Sequence, residues 1–86
     1  MPDDMRELDA IGLDCPLPVL KARKVLGAMA QGDRLVILAT DPMAAIDIPH
    51  LCREDGHRLI AKSEESAANG LRILRFVVER GSDRPA

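Results

Sequence analysis

Apolar and polar positions along this chain follow two different rhythms. Val19, Ala22, Leu26 and Met29 recur at helical spacing as one stripe, while Lys21, Lys24, Ala28 and Gln31 share another face. That spacing predicts a helix over residues 16–30, closed by Gly32 as its C-terminal cap. Residues 34–39 form a β-branched and leucine run, the signature of a central strand. Asp41-Pro42 reads as a cap followed by proline in a first helical turn, opening a second helix that reaches about residue 55. Ile48, Leu51 and Cys52 are its apolar face and Gly56 its end. Pro49 leaves its start open: the proline either kinks the helix or lies in its first turn, with Asp47 as the cap.

Period-two alternation marks the remaining elements. Residues 7–11 form a short first strand. Residues 57–63 form a third, with Leu59 and Ala61 on one face. Asn69-Gly70 is a turn, and residues 71–80 form the last strand, with Leu74, Phe76 and Val78 facing together. The order β-α-β-α-β-β predicts an α/β (α+β) two-layer sandwich, with two helices packed on one face of a four-stranded mixed sheet. The other sheet face is expected to be more open. The polar ends, residues 1–5 and 81–86, are expected to fray.

Composition sharpens this picture. Eighty-six residues suffice for one domain, with 47% hydrophobic and 30% charged positions, and Phe76 is the only aromatic. The core is therefore aliphatic and thin. A net charge of −2 and the lack of stacking aromatics argue against direct nucleic-acid binding and against an anionic membrane surface. The longest apolar run, within residues 34–39, is far too short to span a bilayer. The acidic start Met1-Pro2-Asp3-Asp4 does not resemble a signal peptide. Two cysteines in so small a chain are not a disulfide framework, so the expected compartment is the cytoplasm, with both thiols reduced.

Chemistry concentrates in Gly12-Leu13-Asp14-Cys15-Pro16-Leu17-Pro18. Prolines one and three residues after a cysteine fit the first turn of a helix, where the N–H groups lack partners anyway. Cys15 then lies at or just before the cap, near the positive end of the helix dipole, which favours a thiolate; the amides of Leu17 and Val19 are the expected donors to its sulfur. Asp14 pulls the other way, because a neighbouring carboxylate disfavours a thiolate, and the sequence does not rank the two effects. The competing reading of Cys15 as a small buried hydrophobe fits poorly with a turn flanked by Asp14 and two prolines.

Other candidates are weaker. Cys52 reads as a core thiol. His50 and His57 match no zinc spacing with Cys52, so no metal is expected, and His50 reads as a surface residue and His57 as a helix-ending one. Neither is placed in sequence to serve Cys15 as a base. Lys21, Arg23 and Lys24 read equally as a solvated helix face and as a patch for an acidic partner.

Cys15-Pro16-Leu17-Pro18, following Asp9-x-x-Gly12, resembles the C-P-x-P signature of the TusA/SirA sulfur-carrier family. Thr40-Asp41-Pro42, Asp47-Ile48-Pro49, Cys52 and Gly56-His57 also resemble the family pattern, and the likeness covers about residues 6–80 of a single domain spanning 1–86. The resemblance implies a persulfide on Cys15, with Gly12, Asp14, Pro16 and Pro18 as its supporting turn. It implies a cysteine desulfurase or other sulfurtransferase as donor and a downstream sulfur-acceptor protein as recipient. Destinations in the family include 2-thiouridine in tRNA, molybdenum-cofactor maturation and sulfur oxidation; Asp14 stands where some tRNA-thiolating members have a basic residue. No cofactor is implied: the chemistry is thiol–persulfide exchange, that of a carrier rather than a stand-alone enzyme. A regulatory or redox-sensing interaction module of the same fold is the alternative.

Overall fold

The computed structural model of the protein describes residues 5–81. Six elements follow in the expected order: β1 (Met5–Ala10), α1 (Leu17–Gly27), β2 (Arg34–Ala39), α2 (Ala44–Asp55), β3 (Arg58–Ser66) and β4 (Arg72–Glu79). They build one mixed sheet in the order β1-β2-β4-β3, in which β1 and β2 are parallel and the other two pairings antiparallel.

Alternation along the strands decides where the helices lie. Leu35, Ile37 and Ala39 of β2 and Leu74, Phe76 and Val78 of β4 are buried, in one cluster with Ala22 and Leu26 of α1 and Ile48, Leu51 and Cys52 of α2. Both helix stripes therefore close over one sheet face. Val19 and Val25 pack at the margin of that cluster, and Met29 reaches it from beyond the end of α1.

Several boundaries differ from the sequence expectation. Helix α1 ends at Gly27, and Gly32 is not its cap. The backbone after Gly27 closes in tight turns, Ala28 N–H to the Val25 carbonyl and Met29 N–H to the Leu26 carbonyl. Asp33 takes the next amide, that of Ala30, with its carboxylate at 3.1 Å. Gly32 instead serves a loop with φ +92°, its N–H donating to the Arg80 carbonyl.

Helix α2 runs through Pro49, with Asp47 inside its first turn rather than capping it. Asp41 begins the lead-in: its Oδ1 accepts the Met43 N–H at 2.9 Å and its carbonyl accepts the Ala44 N–H. Gly56 ends the helix as expected, in the left-handed region.

Strand β3 contains a bulge at Ile60, and this overturns the expected face. Leu59 is the partner of Val78 on the helix side, but after the bulge Ala61 pairs with Val77 on the far side, and Lys62 and Glu64 pair with Phe76 and Leu74. Nor is the far face bare. Val36 and Val77 are cross-strand partners there and both are buried, beside the Arg34–Glu79 and Arg58–Glu79 ion pairs. Of the chain ends expected to fray, Met5 lies in β1 and the Gly81 N–H donates to His57 Nδ1 at 3.0 Å. The rest of that expectation concerns residues 1–4 and 82–86, outside the described residues. No helix among the described residues is long and apolar enough to cross a membrane.

Candidate functional site at the heads of the two helices

Because β1 and β2 are parallel, the loops that leave them emerge at the same end of the sheet. Each leads into a helix, so the heads of α1 and α2 meet there. The second loop holds the first in place. Thr40 Oγ1 accepts the Gly12 N–H at 2.9 Å, and Asp41 Oδ2 accepts the Cys15 N–H at 2.5 Å. Asp41 thus bonds both loops, through Oδ2 to Cys15 and through Oδ1 to its own lead-in turn. These hydrogen bonds hold its carboxyl below the ordinary carboxylate value, with partial desolvation opposing. Gly12 takes φ +85°, a turn conformation that a side chain would strain.

Cys15 is exposed and Pro16 occupies the N-cap position of α1, as the two prolines require. Pro18 is buried within the first turn. The Leu17 amide, expected as a donor to the sulfur, instead donates to the Asp14 carbonyl at 2.8 Å. The sulfur has another partner. Cys15 Sγ donates to Asp47 Oδ2 at 3.1 Å, across the cleft between the helices.

That contact settles, against a thiolate, the balance the sequence left open. The Cys15 thiol is pushed up from its ordinary value, first by its hydrogen bond to Asp47, then by desolvation and by the negative charges of Asp47 and Asp41. The helix end does not win, and the carboxylates that act on the sulfur are Asp47 and Asp41, not Asp14.

The cleft beside Cys15 is lined by Pro16, Val19 and Arg23 of the α1 segment and by Asp47, His50, Leu51 and Glu54 of α2. Of the three basic residues singled out in the sequence, Arg23 alone reaches it. Its Nε donates to Asp55 Oδ2 at 2.9 Å, and its guanidinium lies 3.7 Å from Glu54. Lys21 and Lys24 are exposed on α1 away from that lining. His50 pairs with Glu54 at 3.4 Å rather than with the sulfur. Cys52 is buried, and burial pushes its thiol up to about 11. Among the described residues no three His, Cys, Asp or Glu side chains stand close enough to hold a metal ion.

Sequence reasoning missed Thr40, Asp41 and Asp47 as partners of the Cys15 loop. The signal was the parallel β-α-β unit itself, which brings two helix heads to one end of a sheet.

The chain matches the family described as Sulfurtransferase TusA over residues 6–80. It belongs to the TusA family. A candidate sulfur carrier protein of Neisseria meningitidis serogroup A is 52% identical over 58 residues, covering 67% of this chain and 78% of that protein. The sulfur carrier protein TusA of Allochromatium vinosum is 45% identical over 65 residues, covering 76% of this chain and 86% of the relative. The crystal structure of a SirA-like protein from Desulfitobacterium hafniense superposes with a TM-score of 0.70 at 22% identity, over 91% of this chain and all of that one. That likeness confirms the two-layer fold; the TusA family assignment rests on the sequence match.

Proposed function

We propose that Cys15 bears the persulfide of this TusA-family protein. Membership of the family makes the chain a sulfur carrier. Of its two thiols, Cys15 is exposed at the mouth of a cleft and Cys52 is closed in the core, and this contrast is the observation that carries the assignment. In loading, the Cys15 sulfur attacks the outer sulfur of a donor persulfide R–S–SH. The donor's S–S bond breaks as the new one forms, leaving Cys15–S–SH and R–SH, with no net oxidation.

In this reading Gly12, Asp14, Pro16 and Pro18 hold the turn that presents the sulfur. The Asp14 carbonyl and the Gly12 amide act through the hydrogen bonds described above. The donor is a cysteine desulfurase or another sulfurtransferase, the recipient is a downstream acceptor protein, and the setting is the reducing cytoplasm. A basic face at Lys21 and Lys24 suits an acidic partner surface. Thiolated tRNA, molybdenum cofactor and sulfur oxidation are the destinations the family suggests. The alternative is a regulatory or redox-sensing interaction module of the same fold, in which Cys15 takes up no sulfur from a donor.

Incubation with a cysteine desulfurase and cysteine, read by intact mass, tests the assignment. The wild type gains one sulfur atom and Cys15→Ser gains none. Equal loading of the variant overturns it.

A further inference from the structure

We propose that Asp47 is a positioning residue for sulfur transfer: it keeps the resting Cys15 sulfur as a hydrogen-bond donor and drives an anionic terminal sulfur away from the cleft, toward an acceptor. The inference rests on the reading of Cys15 as the persulfide-bearing residue.

The geometry carries it. Sγ and Asp47 Oδ2 are 3.1 Å apart, a contact that holds only if the sulfur keeps its proton, since a thiolate and a carboxylate have no hydrogen to share. Other charged groups stand around the sulfur. Arg23 of α1 and His50 and Glu54 of α2 line the cleft with it and Asp47, Asp41 of the second loop holds the Cys15 amide, and Asp14 precedes Cys15 in the chain without adding to the charge on the sulfur. Arg23 does not offset Asp47, because its guanidinium lies between Glu54 and Asp55. His50 is paired with Glu54. The charge nearest the sulfur is therefore negative, and the upward shift of the thiol has the same origin.

Loading changes the balance. A persulfide is more acidic than its thiol, so the terminal sulfur of Cys15–S–S⁻ is an anion at neutral pH. Next to the Asp47 carboxylate this anion is repelled. The loaded state is raised in free energy relative to the resting thiol, which is the property a carrier needs in order to give its cargo up. In the onward step the terminal sulfur takes a proton from solvent, and an acceptor thiolate R′–S⁻ attacks it in the resulting Cys15–S–SH. The bond between Cys15 Sγ and the terminal sulfur breaks, R′–S–SH forms, and the departing Cys15 thiolate takes a second proton from solvent to restore the hydrogen bond to Asp47.

Two measurements on the full chain test this. The first is the pH dependence of Cys15 alkylation by iodoacetamide, followed by peptide mass. Asp47→Asn moves the midpoint to lower pH and speeds the reaction at neutral pH. Asp47→Glu, which restores the charge, returns the profile toward wild type. Glu65→Gln, which removes a charge on the exposed part of β3, leaves it in place.

The second measurement is the loaded fraction at equilibrium with glutathione persulfide and glutathione at a fixed ratio. It rises in Asp47→Asn by about five-fold in the loaded-to-unloaded ratio, the scale of two unit charges about 4 Å apart in water. Superimposable profiles and equal loaded fractions in wild type and Asp47→Asn overturn the role of Asp47 and leave Cys15 as the carrier residue. A wild type that gains no sulfur on Cys15 in the same mixture overturns the carrier reading itself.

Discussion

Two cysteines of one chain meet opposite fates here, and single contacts decide them. Cys15 is exposed and held by a carboxylate; Cys52 lies against Ile48 and Leu51 in the core. A local reading placed Cys15 at a helix head correctly and left its charge open between the helix dipole and Asp14. Dipole and sequence neighbours are the effects a local reading sees. Asp47, 32 positions along the chain, overrides both through a direct hydrogen bond. Exposed charges at a helix end are worth only about 0.3–1 kcal/mol, which one close carboxylate can cancel. For Cys52 the apolar spacing sufficed. Cys52→Ser is expected to lose roughly 1–3 kcal/mol in denaturant unfolding, the cost of a hydroxyl in an apolar site, and to load sulfur like wild type.

At the scale of elements, the order of strands and helices and both helix stripes were readable from periodicity. Edges and registers were not. Helix α1 stops at Gly27 because the following amides find partners in tight turns and in the Asp33 side chain, a choice no stripe encodes. The bulge at Ile60 flips every later residue of β3, and alternation alone does not reveal an inserted residue.

His57, read as a mere helix terminator, ties the start of β3 to the end of β4 through the Gly81 amide. Gly81 lies so close to the Gly56 carbonyl that no side chain fits there. As an acceptor, Nδ1 must be unprotonated. Desolvation lowers the His57 pKa, with Arg80 and Arg23 adding to the effect and Asp55 opposing it. The folded state therefore binds fewer protons than the unfolded one. This contribution is complete above the ordinary histidine range and is lost as pH falls through that range toward the lower folded value. Between about pH 7.5 and pH 5.5 the melting temperature should fall more for wild type than for His57→Asn, whose amide oxygen accepts the same bond without titrating.

For the whole molecule, one aromatic ring anchors an aliphatic core. Phe76 heads the fully buried side chains by volume and faces both the helices and its neighbours in the sheet. Replacing it with alanine is expected to cost about 3–5 kcal/mol. Small domains have only about 5–15 kcal/mol in total, so the Phe76→Ala protein should unfold at a much lower denaturant midpoint, with an unchanged slope if its unfolding stays two-state. Cys15 lies outside this cluster.

The bulge in β3 has one more effect. The two most apolar strands, β2 and β4, lie in the middle of the sheet and pair with each other, while β1 and β3 form its edges. Open edges are templates for fibre growth, and inward-pointing charges and bulges are how soluble proteins blunt them. Strand β3 has a bulge and, past Ile60, the exposed charges Lys62 and Glu64 on the helix side of the sheet, opposite Phe76 and Leu74. A second copy adding to that edge would have to set its own side chains against those charges. The register shift thus works against self-association along β3.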